Sequence, residues 1–236
     1  MTPLLERKLL FVVGKGGVGR TTVAITLALA AGLQGKRAVV VELYANDQVA
    51  RRYGLGERSY EPRALAPNVH TMSLTAYECL DDFGRSKLKV NALVRMLFHN
   101  RVFRTFLDSV PGLHDLFQLG KINNLATTPG PDDPVYDIVI IDAPATGHGL
   151  TLLNAAGSMR DMVGGGLVFD ESNLIEELLD DPERNGLVLV TLPKELTVNE
   201  GLQLIDELDE RRRLMAAVVV NQMREFGLPS RVGWPE

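Results

Sequence analysis

The chain has 236 residues and a formal net charge of −5, with 30 acidic against 25 basic side chains. This balance argues against a surface built to neutralise nucleic-acid phosphates or anionic lipid, and no apolar run approaches the ~20 residues of a membrane span. With 45% hydrophobic and 23% charged residues, one cytoplasmic domain over residues 1–236 is expected, without direct nucleic-acid or membrane binding.

Short apolar runs rich in β-branched residues recur at Leu9 to Val13, Ala38 to Val41, Val69 to Leu74, Ile138 to Ile141, Leu187 to Leu192 and Ala216 to Val220. Most are continuously apolar, as expected of strands covered on both faces. Helical patterns fall between them at Thr21 to Leu33, Leu150 to Met162 and Val198 to Arg213. The alternation predicts an α/β fold with a doubly wound, mainly parallel sheet flanked by helices. Residues 76–125 break the rhythm, because they carry no strand signal and place Val90, Leu93, Val94, Leu97 and Phe98 at helical spacing. They read as a helical insertion, divided by Pro111-Gly112. Thr127 to Asp133, rich in proline and aspartate, reads as a loop leading back to the sheet. Cys79, the only cysteine, reads as a small buried hydrophobe; alone it forms neither an internal disulfide nor a multi-cysteine metal site.

The stretch Gly14-Lys15-Gly16-Gly17-Val18-Gly19-Arg20-Thr21-Thr22 joins the first strand to the first helix. Glycines there let consecutive N–H groups and the positive end of the helix surround phosphate oxygens. Two patterns fit. Gly14, Gly16 and Gly19 satisfy GxGxxG, and with Glu42 at the end of the second strand they would suit an NAD(P)-dependent oxidoreductase. The same residues satisfy a P-loop in which Thr21 offers a hydroxyl to Mg²⁺. The P-loop reading is favoured by Asp142, which follows Ile138 to Ile141 and would place a carboxylate near a Mg²⁺-bound water.

Gly14 to Thr22 resembles the KGGVGKTT loop of the SIMIBI ATPases, and Tyr136 to His148 resembles the aspartate-to-TGH switch of the arsenite-pump and tail-anchored-protein-targeting ATPases. Further similarities lie at Pro111 to Asp115, at Leu192-Pro193 with Glu200, and at Val218 to Gln222. The resemblance implies ATP and Mg²⁺ as cofactors and a nucleotide-sandwich dimer. In that scheme Lys15 reaches the partner's phosphates, Thr21 coordinates Mg²⁺, Thr22 contacts phosphate and Asp142 holds the metal's water shell. Gly147 and His148 respond to the γ-phosphate, and Asn221 bonds adenine. The helical insertion takes the place of the lobe that binds a client.

Two departures bear on catalysis. Arg20 stands where the family carries lysine, and a planar fork does not replace a compact ammonium between phosphates. Glu42 and Tyr44 fall where two switch acids are usual, so Tyr44 occupies the water-orienting position unless Asp47 substitutes. Two outputs follow: an ATPase switch of weak or partner-dependent turnover, acting as a homodimer, or a non-hydrolysing subunit that pairs with a paralogue. A single cysteine provides neither the zinc-bridged dimer of the targeting factor nor an arsenite site.

Overall fold

A computed structural model of the chain describes residues 2–87, 105, 107–129, 135–143 and 148–223. Its centre is a seven-stranded sheet: β1 (Leu9–Val13), β2 (Ala38–Glu42), β3 (Arg63–Ala66), β4 (Val69–Ser73), β5 (Ile138–Asp142), β6 (Asn185–Thr191) and β7 (Met215–Val220). Their spatial order is β3-β4-β2-β5-β1-β6-β7, and every pairing is parallel except β3 with β4. The six strands read from sequence are all present, each within about two residues of its expected ends.

Alternation along the strands divides the apolar side chains between two layers. Leu10, Val12, Val40, Ile140 and Val188 pack with one face of helix α1 (Arg20–Leu33). That helix turns Ala24, Ile25, Ala28 and Ala31 inward at helical spacing, and its small alanines allow close approach to the sheet. Leu9, Phe11, Val41, Ile141 and Leu189 feed the opposite layer. There they meet α4 (Leu113–Thr127) and α5 (His148–Val163) through residues such as Leu119, Ile122, Leu152 and Leu153. Helices therefore cover both faces, as a doubly wound sheet requires.

Four features differ from the sequence reading. β3 is an added antiparallel edge strand; Arg63-Ala64-Leu65-Ala66 has no β-branched residue, and the turn through Asn68 at φ 61° holds it beside β4. Helices α2 (Gln48–Arg52) and α6 (Leu167–Asp180) are likewise additional. The single helix expected over Val198 to Arg213 is instead α7 (Glu195–Glu207) followed by a 3₁₀ turn, Asp209–Leu214, with Asp209 at φ 47° marking the break. Thr127 closes α4 and does not open the loop that follows.

Within the insertion, α3 (Ala76–Lys87) starts with Thr75 and Glu78 in reciprocal contact, the hydroxyl accepting from the Glu78 N–H at 3.3 Å and donating to its carboxylate at 2.6 Å. Gly112, at φ 79°, stands immediately before α4, so the expected division at Pro111-Gly112 is present. The apolar run at Val90, Leu93, Val94, Leu97 and Phe98 lies outside the described residues, as do residues 130–133 of the connecting loop. Cys79 is buried, as expected.

Candidate nucleotide site

The loop between β1 and α1 follows its glycines. Gly14, at φ 148°, passes so close to β6 that a Cβ would strike the Val190 carbonyl oxygen. Gly19, at φ 95°, presses on the Asn221 side chain, which a Cβ would also strike. Gly16 and Gly17 instead face open space, leaving their backbone accessible. Val18 is buried and anchors the loop's inner side.

A cleft of about 630 Å³ opens at the carboxyl ends of the strands, between this loop, the segment after β2, Asp142-Ala143 and Asn221-Gln222. Its size falls in the ~300–1,000 Å³ range of small-molecule sites. On its floor, the Thr21 hydroxyl donates to Asp142 Oδ2 at 2.5 Å, with Gln48 Oε1 at 3.4 Å. A hydroxyl that gives its proton to a carboxylate keeps its lone pairs for a cation. This pair fits Mg²⁺, which keeps most of its water and takes few protein ligands. Burial raises the Asp142 carboxyl above its usual range, with the Thr21 hydrogen bond, Arg20 and Arg52 pulling it back.

The cations are placed differently from one another. Lys15 forms an ion pair with Glu200 on α7. Arg20 lines the cleft but donates Nη1 to the Ala143 carbonyl at 2.5 Å, and burial lowers its pKa while the Asp142 charge opposes that shift. Thr22 accepts a hydrogen bond from Arg52 Nη1 at 3.0 Å.

The residues expected to form the switches have different surroundings. Glu42, 1% exposed, accepts the Val49 N–H at 3.2 Å on each carboxylate oxygen and so braces α2. Tyr44 lines the cleft, and its hydroxyl donates to Asp115 on α4 at 2.6 Å. Asp47 lines the cleft and pairs with Arg51 at 2.7 Å. Gly147 lies outside the described residues, and His148 is the first residue of α5. Asn221 also lines the cleft, but its side chain spans the loop, donating Nδ2 to the Val18 carbonyl and accepting the Gln222 N–H, both at 2.8 Å. Gln48 and Arg52 are cleft residues that motif reasoning missed, because neither belongs to a glycine-rich or acidic signature.

Strand order decides between the two glycine-loop readings. In a dinucleotide fold β1 and β2 are neighbours, whereas here β5 lies between them and brings Asp142 beside the loop. The fold and cleft define a P-loop α/β protein. A match to the anion-transporting ATPase family covers residues 7–165, and the chain belongs to that family. It is similar to ATPase BagA of Mycobacterium tuberculosis, 30% identical over 91% of this chain and 65% of that protein. ATPase ASNA1 homolog 1 of Paramecium tetraurelia is 23% identical over 92% of this chain and 75% of its own length. ATPase GET3 of Meyerozyma guilliermondii is 24% identical over 92% and 73% respectively. The chain thus spans just under two thirds of the length of the mycobacterial relative. Among the described residues, no helix is long and apolar enough to cross a membrane.

Proposed function

We infer that the chain binds ATP with Mg²⁺ and acts as a conformational switch, closing as a nucleotide-sandwich homodimer on ATP and reopening after hydrolysis to ADP and phosphate. The observation that carries this reading is the 2.5 Å contact between Thr21 and Asp142 on the floor of a cleft walled by the glycine loop. The ATPase names of the similar proteins support it. In this reading the backbone of Gly14 to Gly19 and the start of α1 bind the phosphates. Thr21 and Asp142 orient the metal, which when bound neutralises charge on the β- and γ-phosphates. Lys15 leaves Glu200 to reach the partner's nucleotide, and the inserted lobe, joined to the cleft by Tyr44 and Asp115, passes the state of the site to a protein client.

A second reading is a nucleotide-binding subunit that does not hydrolyse alone and pairs with a paralogue. It is favoured by the hydrogen bonds that commit Arg20 to Ala143 and Tyr44 to Asp115.

Calorimetric titration with ATP and ADP, with and without Mg²⁺, together with phosphate release, tests both. Mg²⁺-dependent ATP binding with release supports the switch. Binding without release, followed by activity on mixing with a paralogue, supports the subunit. Absence of binding to either nucleotide removes both.

A further inference from the structure

Helix α2 sets two side chains, one helical turn apart, against the consecutive threonines of the loop. Gln48 opens the helix with Oε1 3.4 Å from Thr21 Oγ1, and Arg52 closes it with Nη1 donating to Thr22 Oγ1 at 3.0 Å. Residues four apart share a helix face, and this face lines the cleft beside the start of α1.

Lys15 and Arg51 are held by carboxylates, and Arg52 is not. Lys15 is paired with Glu200, Arg51 with Asp47, and Arg20 with the Ala143 carbonyl. Among the described residues Arg52 has no carboxylate partner; its hydrogen bond goes to a neutral hydroxyl, and the side chain is otherwise exposed. A guanidinium carries five donors in a planar fork that matches two oxygens of a phosphate, so one hydroxyl leaves most of that capacity unused.

We propose that Arg52 is a phosphate-binding residue, a cation supplied in cis from the segment after β2 that grips the phosphate chain of the nucleotide beside Thr22. The inference rests on the nucleotide-binding reading and deepens it. A phosphate oxygen between Thr22 and Arg52 receives a hydrogen bond from each, and the Arg52–Thr22 contact in the free protein gives way to a charge-assisted one.

The test is calorimetry of wild type, Arg52→Ala and Arg52→Lys with Mg-ATP and with Mg-tripolyphosphate, alongside the thermal midpoint of each ligand-free protein. Arg52→Ala is expected to weaken both ligands by a similar factor of about ten or more, as for loss of a hydrogen bond to a charged group. Arg52→Lys recovers part of the loss as a point charge, and all three melt alike because the side chain is exposed. Wild-type affinity in Arg52→Ala overturns the proposal, as does weaker ATP binding with unchanged tripolyphosphate binding, which moves the contact to the nucleoside. Should the wild type bind neither ligand, the nucleotide reading itself fails; should it bind both while Arg52→Ala matches it, only the role of Arg52 falls.

Discussion

The Tyr44 hydroxyl donates to Asp115 Oδ1 at 2.6 Å, joining the loop after β2 to helix α4. The Tyr44 N–H adds a second tie, to Gln118 Oε1 at 3.3 Å. Asp115 is 8% exposed and Gln118 fully buried, so both acceptors lie in the protein's interior. Tyr44 and Ala45 hold φ of 56° and 58°, a left-handed conformation that costs side-chain-bearing residues energy and that surrounding bonds must sustain.

Tyr44→Phe removes the hydroxyl and leaves the buried Asp115 carboxylate without that donor. Loss of stability of about 1–3 kcal/mol is expected, read from urea unfolding. If the wild type releases phosphate, the variant is expected to do so at a comparable rate, because the hydroxyl is directed to Asp115 on α4. A collapse of release at unchanged stability would instead place Tyr44 in the chemistry.

Much of this architecture is legible from residues alone, for reasons visible in particular strands. Leu9–Val13 and Ile138–Asp142 are buried along their whole length, and continuous burial writes a continuous apolar run. Thr21 and Asp142 lie 121 positions apart but close together in space, because Asp142 ends β5 and Thr21 lies in the first turn of α1, which follows the neighbouring strand β1. β3 is not legible: its sequence prefers no strand, and pairing with β4 imposes one. Nor is the division of labour among the polar residues. Sequence spacing puts Tyr44 at a water-orienting position, but its ring reaches a carboxylate on a helix 71 residues away. Gln48 and Arg52 enter the cleft on a short helix whose Val49 N–H is held by the buried Glu42.

The contact between Gly19 and Asn221 permits a coupling experiment. Gly19→Ala meets two penalties, a φ of 95° and a collision with the Asn221 side chain. Asn221→Ala removes the collision but also the bond to the Val18 carbonyl. The double variant is therefore expected to be more stable than the sum of the single changes predicts, with a coupling of about 1–2 kcal/mol in a denaturation cycle. Additive behaviour would show that loop and strand end move independently.

Glu42 makes stability depend on pH. Burial pushes its carboxyl up to about 7, with the Val49 N–H opposing and the Asp142 charge adding to the shift, whereas the unperturbed group titrates at 4.5. The folded state therefore binds this proton more tightly than the unfolded chain. Its stabilising contribution is fully present below pH 4.5 and is lost as pH rises through about 7. Glu42→Gln keeps an acceptor for Val49 without the charge. The variant is expected to outlast wild type above neutrality, by an amount on the order of 3 kcal/mol at most, and to show a flatter pH profile. Parallel profiles for the two proteins would assign the dependence to other groups.

Arg20 offers the sharpest test of turnover. Its guanidinium is drawn to the Ala143 carbonyl at 2.5 Å and is partly desolvated, so it bridges the glycine loop and the residue after Asp142. With Nη1 held by that carbonyl, the remaining donors of the planar fork are fixed in direction and follow less readily a phosphate whose charge shifts during transfer. A lysine ammonium is compact, turns its three donors freely, and retains the charge. Arg20→Lys is thus expected to leave Mg-ATP affinity within a few-fold while raising single-turnover phosphate release by roughly ten-fold, about 1.4 kcal/mol of barrier. Arg20→Ala removes the charge and is expected to weaken binding itself. Faster release in the lysine variant would mean that arginine holds an otherwise competent site in a slow state. Slower release would mean that the Arg20–Ala143 bridge is part of the working geometry, with Asp142 held in place through it.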